Sequence, residues 1–264
     1  MREKKKPKEI EDPNDELHHS GDKSFKVAMK VKATALEFIE QFFPQLYNHL
    51  DLSTFELDNT NYVTKEFDEF YSDVVYRTYL KKGSSKTKKP VAVALLFEHK
   101  KTIRSYFLLF LQLLEYIVFL WKDDLVNKRK PSLIIPIVVF QGKKGLDTKQ
   151  LHDCFKGVPK ELLSYIPNLS YHLTNVHDLS DEKVLALDQK GLLRSLFLAY
   201  TYTERKQTVN DILKETFKFF DFEPERFDFF QFLFEFIAKE DYLSGEEIER
   251  LFETYLSPKT KIQK

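Results

Sequence analysis

Asp73, Glu98 and Lys100 are the residues in this chain whose types and spacing point most directly to chemistry. They belong to one stretch, Tyr71 to Lys100, that reads YSDVVYRTYL, then KKGSSKTKKP, then VAVALLFEHK. Both flanks are rich in β-branched and aromatic residues and the middle carries Gly, Ser and Pro, which predicts two antiparallel strands joined by a flexible connection. Side chains alternate faces along a strand. Glu98 and Lys100 therefore share one face, while Val91, Val93, Leu95, Phe97 and His99 share the other. Folding the hairpin about its midpoint, between Ser85 and Lys86, sets Asp73 opposite Glu98. Two carboxylates opposed on one face repel and weaken a sheet. A chain that keeps them there needs a cation, and a hard divalent metal, magnesium or manganese, suits oxygen ligands. A lysine two residues after the glutamate would stand beside that metal, placed to orient a water or to stabilise charge on a phosphate. A slip of one residue would put the acids on opposite faces and remove the argument.

The elements around this hairpin must form a layered core. Residues 23–50 carry apolar residues near helical spacing, ended by Pro44. Residues 51–58 read as a first strand. The run from 103 to 124 is apolar on most sides and reads as a buried helix; Arg104, Gln112 and Glu115 interrupt it too often for a membrane span. Leu133 to Phe140 is a near-continuous apolar run, as expected of a strand covered on both faces, although Pro136 sits inside it and proline favours edges or bulges. Residues 148–166 look helical in part, 170–176 form a candidate last strand, and the pattern is helical from 181 onward. The expected organisation is a disordered basic tail over 1–21, an α/β domain over 22–178 and a helical region over 179–264.

At 264 residues with 42% hydrophobic content the chain can bury a full core. A single cysteine, Cys154, excludes an intramolecular disulfide framework. With no apolar N-terminal leader in view, this predicts a cytoplasmic protein without a membrane partner. The net charge is zero, yet residues 81–149 hold fifteen Lys and Arg against five acids. That segregation is an electrostatic footprint for nucleic acid. Lys81 and Lys82 at the hairpin tip, and Lys143 and Lys144 after the 133–140 strand, read either as solvated loop lysines or as a phosphate-contacting rim. Nothing resembles a base-reading helix, so low sequence specificity is expected. The histidines show no zinc-ligand spacing, and Cys154 has no catalytic partner.

Asp73 followed by Glu98-His99-Lys100 at the end of the next strand resembles the PD-(D/E)XK nuclease signature. More closely, the chain is similar to the recombination-promoting nuclease (Rpn) family, also known as YhgA-like transposases. The landmarks are FFPQLYNHLDLSTFEL (42–57), YSDVVYRTYL (71–80), LLFEHK (95–100), LLEYIVFLW (113–121) and IIPIVVFQGKKG (134–145). Many members carry Gln where this chain has Lys100. The usual His-Asp opening is here Ser20-Gly21-Asp22, and the Trp after the last strand is Leu146. The resemblance implies a restriction-endonuclease-like α/β core, a mixed sheet flanked by helices, with a helical C-terminal region. It also implies a magnesium-dependent endonuclease acting on double-stranded DNA, linked to recombination or mobile elements. Asp73, Glu98 and the backbone carbonyl of His99 would hold the metal, and Lys100 would help activate water. Gln112 and Tyr116, four apart on the next helix, resemble the Q-x-x-x-Y element of RecB-like nucleases, which faces DNA beside the site.

Spacing alone favours ordinary solvated charges on a surface strand; strand context, shared face and the landmarks reverse that preference. For Gln112 and Tyr116, the plain reading, two polar residues edging a buried helix, stands level with the functional one. Two rivals remain: a catalytically weak DNA-binding or assembly protein on the same fold, and an interaction module built on the aromatic C-terminal helices. The phenylalanines of 217–237 read as core, with a homodimer seam as their second role.

Overall fold

The computed structural model describes residues 13–58, 74–83, 91–103, 105–142, 144–187, 192–204 and 227–240, together with the single helical positions 246, 250 and 253. Three helices come first: α1 (Pro13–Lys30), α2 (Lys32–Phe42) and α3 (Pro44–His49). The strands β1 (Glu56–Leu57), β2 (Val74–Tyr79) and β3 (Ala92–Lys100) follow, then α4 (Tyr106–Val126), β4 (Leu133–Phe140) and β5 (His172–Asn175). Helices α5 (Asp181–Leu185), α6 (Leu192–Glu204) and α7 (Phe227–Glu240) complete the described elements. The strands form one sheet in the order β1-β2-β3-β4-β5. It is antiparallel from β1 to β3 and parallel from β3 to β5. This is the expected α/β architecture, a mixed sheet flanked by helices and compatible with a restriction-endonuclease-like core. No helix among the described residues is long and apolar enough to cross a membrane.

Strand periodicity divides the core between two faces. Val74, Tyr76, Val93, Leu95 and Phe97 turn toward α1, α2, α6 and α7 and join the larger apolar cluster. Val75, Ala94, Leu96, Ile134 and Val138 turn the other way, against Leu109, Phe110, Leu113, Ile117 and Leu120 of α4. Two parallel strands need a crossover, and α4 is that crossover between β3 and β4. Ser105 starts it, its hydroxyl accepting the Leu108 N–H at 3.1 Å. A Schellman turn ends it. The Lys128 N–H donates to the Leu125 carbonyl at 3.0 Å and the Arg129 N–H to the Asp124 carbonyl at 2.7 Å, with Lys128 in the left-handed region at φ 55°.

Three expectations need correction. The tail expected to be disordered to residue 21 is helical from Pro13 onward. Proline is preorganised for a first helical turn, and the helix is held at its middle by a residue distant in sequence: the Tyr200 hydroxyl donates to the Gly21 carbonyl at 2.8 Å. The single helix expected up to Pro44 is two, broken at Val31, which is extended at φ −77°, ψ 114°, and a third helix begins at Pro44. Phe43, ahead of Pro44, is forced out of helical geometry to φ −137°, ψ 58°. The strand expected over 51–58 shrinks to two residues, because Asp51 folds a tight turn by accepting from the Ser53 N–H at 3.2 Å and its hydroxyl at 2.6 Å. The strand Leu133–Phe140 is as expected, with Pro136 inside it. The proline is tolerated because pairing with β5 begins only at Ile137, leaving β3 as its one strand neighbour there.

Candidate active site

The hairpin register is the one the sequence predicts. Val74 pairs with Phe97, Val75 with Leu96 and Tyr79 with Ala92. Asp73, the next residue, lies outside the described residues. On β3, Glu98 faces α4 and is 4% exposed. Its Oε1 receives the Lys100 ammonium at 2.6 Å and the Gln112 amide at 3.1 Å. Gln112 Nε2 also lies 3.5 Å from the Tyr116 hydroxyl. Gln112 therefore reaches the glutamate, and Tyr116 stands beside Gln112. Glu98 Oε2 is buried and has no hydrogen-bond partner among the described residues. A buried carboxylate oxygen left open is costly, and it is the donor type that a hard divalent cation takes.

Main-chain direction places the His99 carbonyl. The Leu80 N–H donates to the Val91 carbonyl at 3.0 Å and the Gln141 N–H to the Lys100 carbonyl at 2.7 Å. Backbone groups alternate sides along a strand, so odd positions of β3 address β2 and even ones address β4. The His99 carbonyl thus turns toward the β2 edge, two residues beyond the last described pair, Val74 with Phe97. The His99 side chain goes elsewhere, as expected. It is buried, with ring centroids 5.4 Å from Phe25 and 5.2 Å from Tyr200. Burial, followed by the nearby Lys26 charge, pushes its pKa down to about 3, so it is a neutral packing residue. Among the described residues no group of three or more His, Cys, Asp or Glu clusters to hold a metal. Glu98 is the one carboxylate here, and the second acid of the expected set is Asp73.

The basic residues divide between the ends of the sheet. Lys100 pairs with Phe140, so the loop after β4 lies at the Glu98 end, with Lys144 exposed on it. Lys143 lies outside the described residues. The Asn175 side chain clamps this loop, accepting from the Leu146 N–H at 2.9 Å and donating to the Leu146 carbonyl at 3.0 Å. Lys81 and Lys82 are exposed at the opposite end of the hairpin. At the chain's opening, a Cβ on Gly21 would meet the Phe236 ring at 3.1 Å. A histidine there, as in the resembled family, would displace that ring.

A second charged assembly escaped the sequence reading. Arg77 of β2 lies on the α4 face and pairs with Asp58, with Asp123 at 3.0 Å and with Asp124 at 2.7 Å. Arg129 joins the same two α4 acids, and the Ser132 N–H donates to Asp124 Oδ2 at 2.8 Å. Two acids in the last turn of a helix oppose its dipole. That mismatch was the available signal that cations must come to them.

A family model described as "Putative transposase, YhgA-like" matches residues 18–224. No curated protein and no solved structure matches the chain. The matched span takes in the whole described sheet, the Glu98–Lys100 pair and α4 with Gln112, and the chain belongs to this YhgA-like family of transposition- and recombination-type proteins.

Proposed function

We propose that this chain is a metal-dependent endodeoxyribonuclease of the PD-(D/E)XK type, cutting double-stranded DNA with low sequence specificity in a recombination or mobile-element setting. The observation that carries the reading is Glu98: buried, held at one oxygen by Lys100 and Gln112, and open at the other. In this reading Asp73 and the His99 carbonyl complete the donor set with Glu98. Magnesium, or manganese, would supply Lewis acidity toward a phosphate oxygen there. Lys100 would hold a water or a phosphate oxygen in line, Gln112 would keep the Glu98 carboxylate in one rotamer, and Lys144 would contact the DNA backbone. Plasmid nicking with and without magnesium tests this. Wild type should nick only with the metal, and Asp73→Ala and Glu98→Gln should not nick at all. Nicking by either variant at the wild-type rate would sink the assignment.

One observation favours an inert DNA-binding protein instead. The Lys100–Glu98 ion pair already neutralises the carboxylate without any metal. That reading predicts DNA binding in the presence of a chelator and no cleavage under any metal condition.

A further inference from the structure

We propose that α4 is a dimerisation element, and that it seats against the α4 of a second copy of this chain, antiparallel, about a two-fold axis near Tyr116. Phe107, Leu111, Leu114, Val118, Trp121 and Leu125 recur at alternating spacings of four and three along the helix, the period that forms a continuous coiled-coil seam. The seam lies on a flank of α4 away from Gln112. Leu114 is half-buried and the other five are between 42% and 64% exposed. Together the six leave on the order of 500 Å² of apolar surface open, at the upper end of the ~300–600 Å² of the largest patch on a typical monomer and more than half of the ~800 Å² that each partner buries in a standard interface.

The order of the six residues says which partner fits. An isologous contact requires a patch that is complementary to itself after a half-turn, and these spacings read the same in both directions. Reversing one helix over the other sets Phe107 against Leu125, Leu111 against Trp121, and Leu114 against Val118 of the partner. Every layer is apolar and every aromatic meets an aliphatic residue. Trp121 is already fixed, its indole N–H donating to the Ser132 carbonyl at 2.9 Å. Phe107 is fixed by an edge-on contact with Phe155 at 5.9 Å. Anchors held in place before binding lose little freedom on association, and Trp is a frequent hot-spot residue. The phenylalanines of α7 do not compete for this role, since Phe229, Phe230, Phe234 and Phe236 are buried in the monomer's own core. Glu115 flanks the seam near its midpoint, so the axis brings the two Glu115 carboxylates together, a like-charge contact that opposes association.

Sedimentation equilibrium of the full-length protein is the test. Wild type should dimerise at micromolar concentration. Val118→Glu, next to the axis, should weaken the dimer by about 30-fold or more, and Leu125→Lys, in the end layer, by about 10-fold. Leu125 is 64% exposed, so its variant keeps the test sharp if Val118→Glu fails to fold. Glu115→Gln should tighten the dimer. In a Cys154→Ser background, Glu115→Cys should be cross-linked into a dimer by a short bis-maleimide, which needs no oxidant. Leu125→Cys should not, because the two copies of residue 125 would be roughly 27 Å apart along antiparallel helices. A wild-type monomer at tens of micromolar, a dimer indifferent to both seam variants, or cross-linking of Leu125→Cys would each overturn the proposal.

Discussion

The side-chain amide of Gln112 on α4 donates to Glu98 Oε1 at 3.1 Å and fixes the carboxylate from the helix side. Groups that orient a metal ligand from behind typically contribute about 10–100-fold to affinity or activity. Gln112→Ala should therefore lower magnesium-dependent nicking by about that factor and weaken manganese binding measured by calorimetry. Melting should barely move, because one half-buried hydrogen bond contributes only about 1 kcal/mol.

Lys100 and the hairpin-tip lysines should separate chemistry from binding. Lys100→Ala should lower turnover by roughly 10²–10⁴, as expected for a positioned proton-transfer or charge-stabilising group, with little change in DNA affinity. Lys100→Gln should retain part of the activity, since an amide can still orient water. Lys81→Ala with Lys82→Ala should do the reverse. These lysines follow Leu80, which pairs with Val91, about 23 Å of strand away from Glu98. Their loss should flatten the salt dependence of binding and leave the metal-dependent step unchanged. If Lys100→Ala behaved like that pair, Lys100 would be one more rim lysine.

Arg77 should matter to stability far more than any exposed charge. Arg77→Met leaves Asp58, Asp123 and Asp124 short of a cation, and breaking a buried ion network typically costs about 3–5 kcal/mol. Urea unfolding would measure it. The pH dependence has a definite sign. Burial raises the Asp124 pKa, but the hydrogen bonds from Ser132 and Arg129 and the Arg77 charge together hold it below the usual carboxylate range. Its stabilisation is thus fully present above the unfolded-state value and is lost as pH falls through the lowered folded-state value. In Arg77→Met the folded-state value moves back up toward the unfolded-state one, so this acid limb should shrink and end at higher pH.

Lys128→Gly should stabilise the protein by about 1 kcal/mol. Lys128 holds φ 55° at the turn after α4, a conformation that strains an L side chain and costs glycine nothing. Glycine can still supply the N–H that donates to the Leu125 carbonyl. A lower melting temperature would show that the Lys128 side chain makes a contact worth more than the relieved strain.

What the sequence determined by itself is the part governed by local alternation and local runs. The hairpin pairing of Val74 with Phe97 and the division of β3 into a Glu98–Lys100 face and a His99 face follow from period-two patterning, and the span Leu133–Phe140 from a continuous apolar run. A slip of one residue would bury charge on one face and expose the core on the other. Tertiary structure alone decided where separate segments meet. Gln112 reaches Glu98 only because α4 folds back over β3. Arg77 gathers partners from β1's end, the last turn of α4 and the loop before β4. α1 starts at Pro13 although its composition suggests a tail, because Gly21 lies under Tyr200 and Phe236, residues whose pull on the N-terminus no local pattern records. Distances along a strand or helix are set by backbone geometry and can be read from a sequence. Contacts between elements depend on which faces the whole core must bury, and that is settled only when every element is in place.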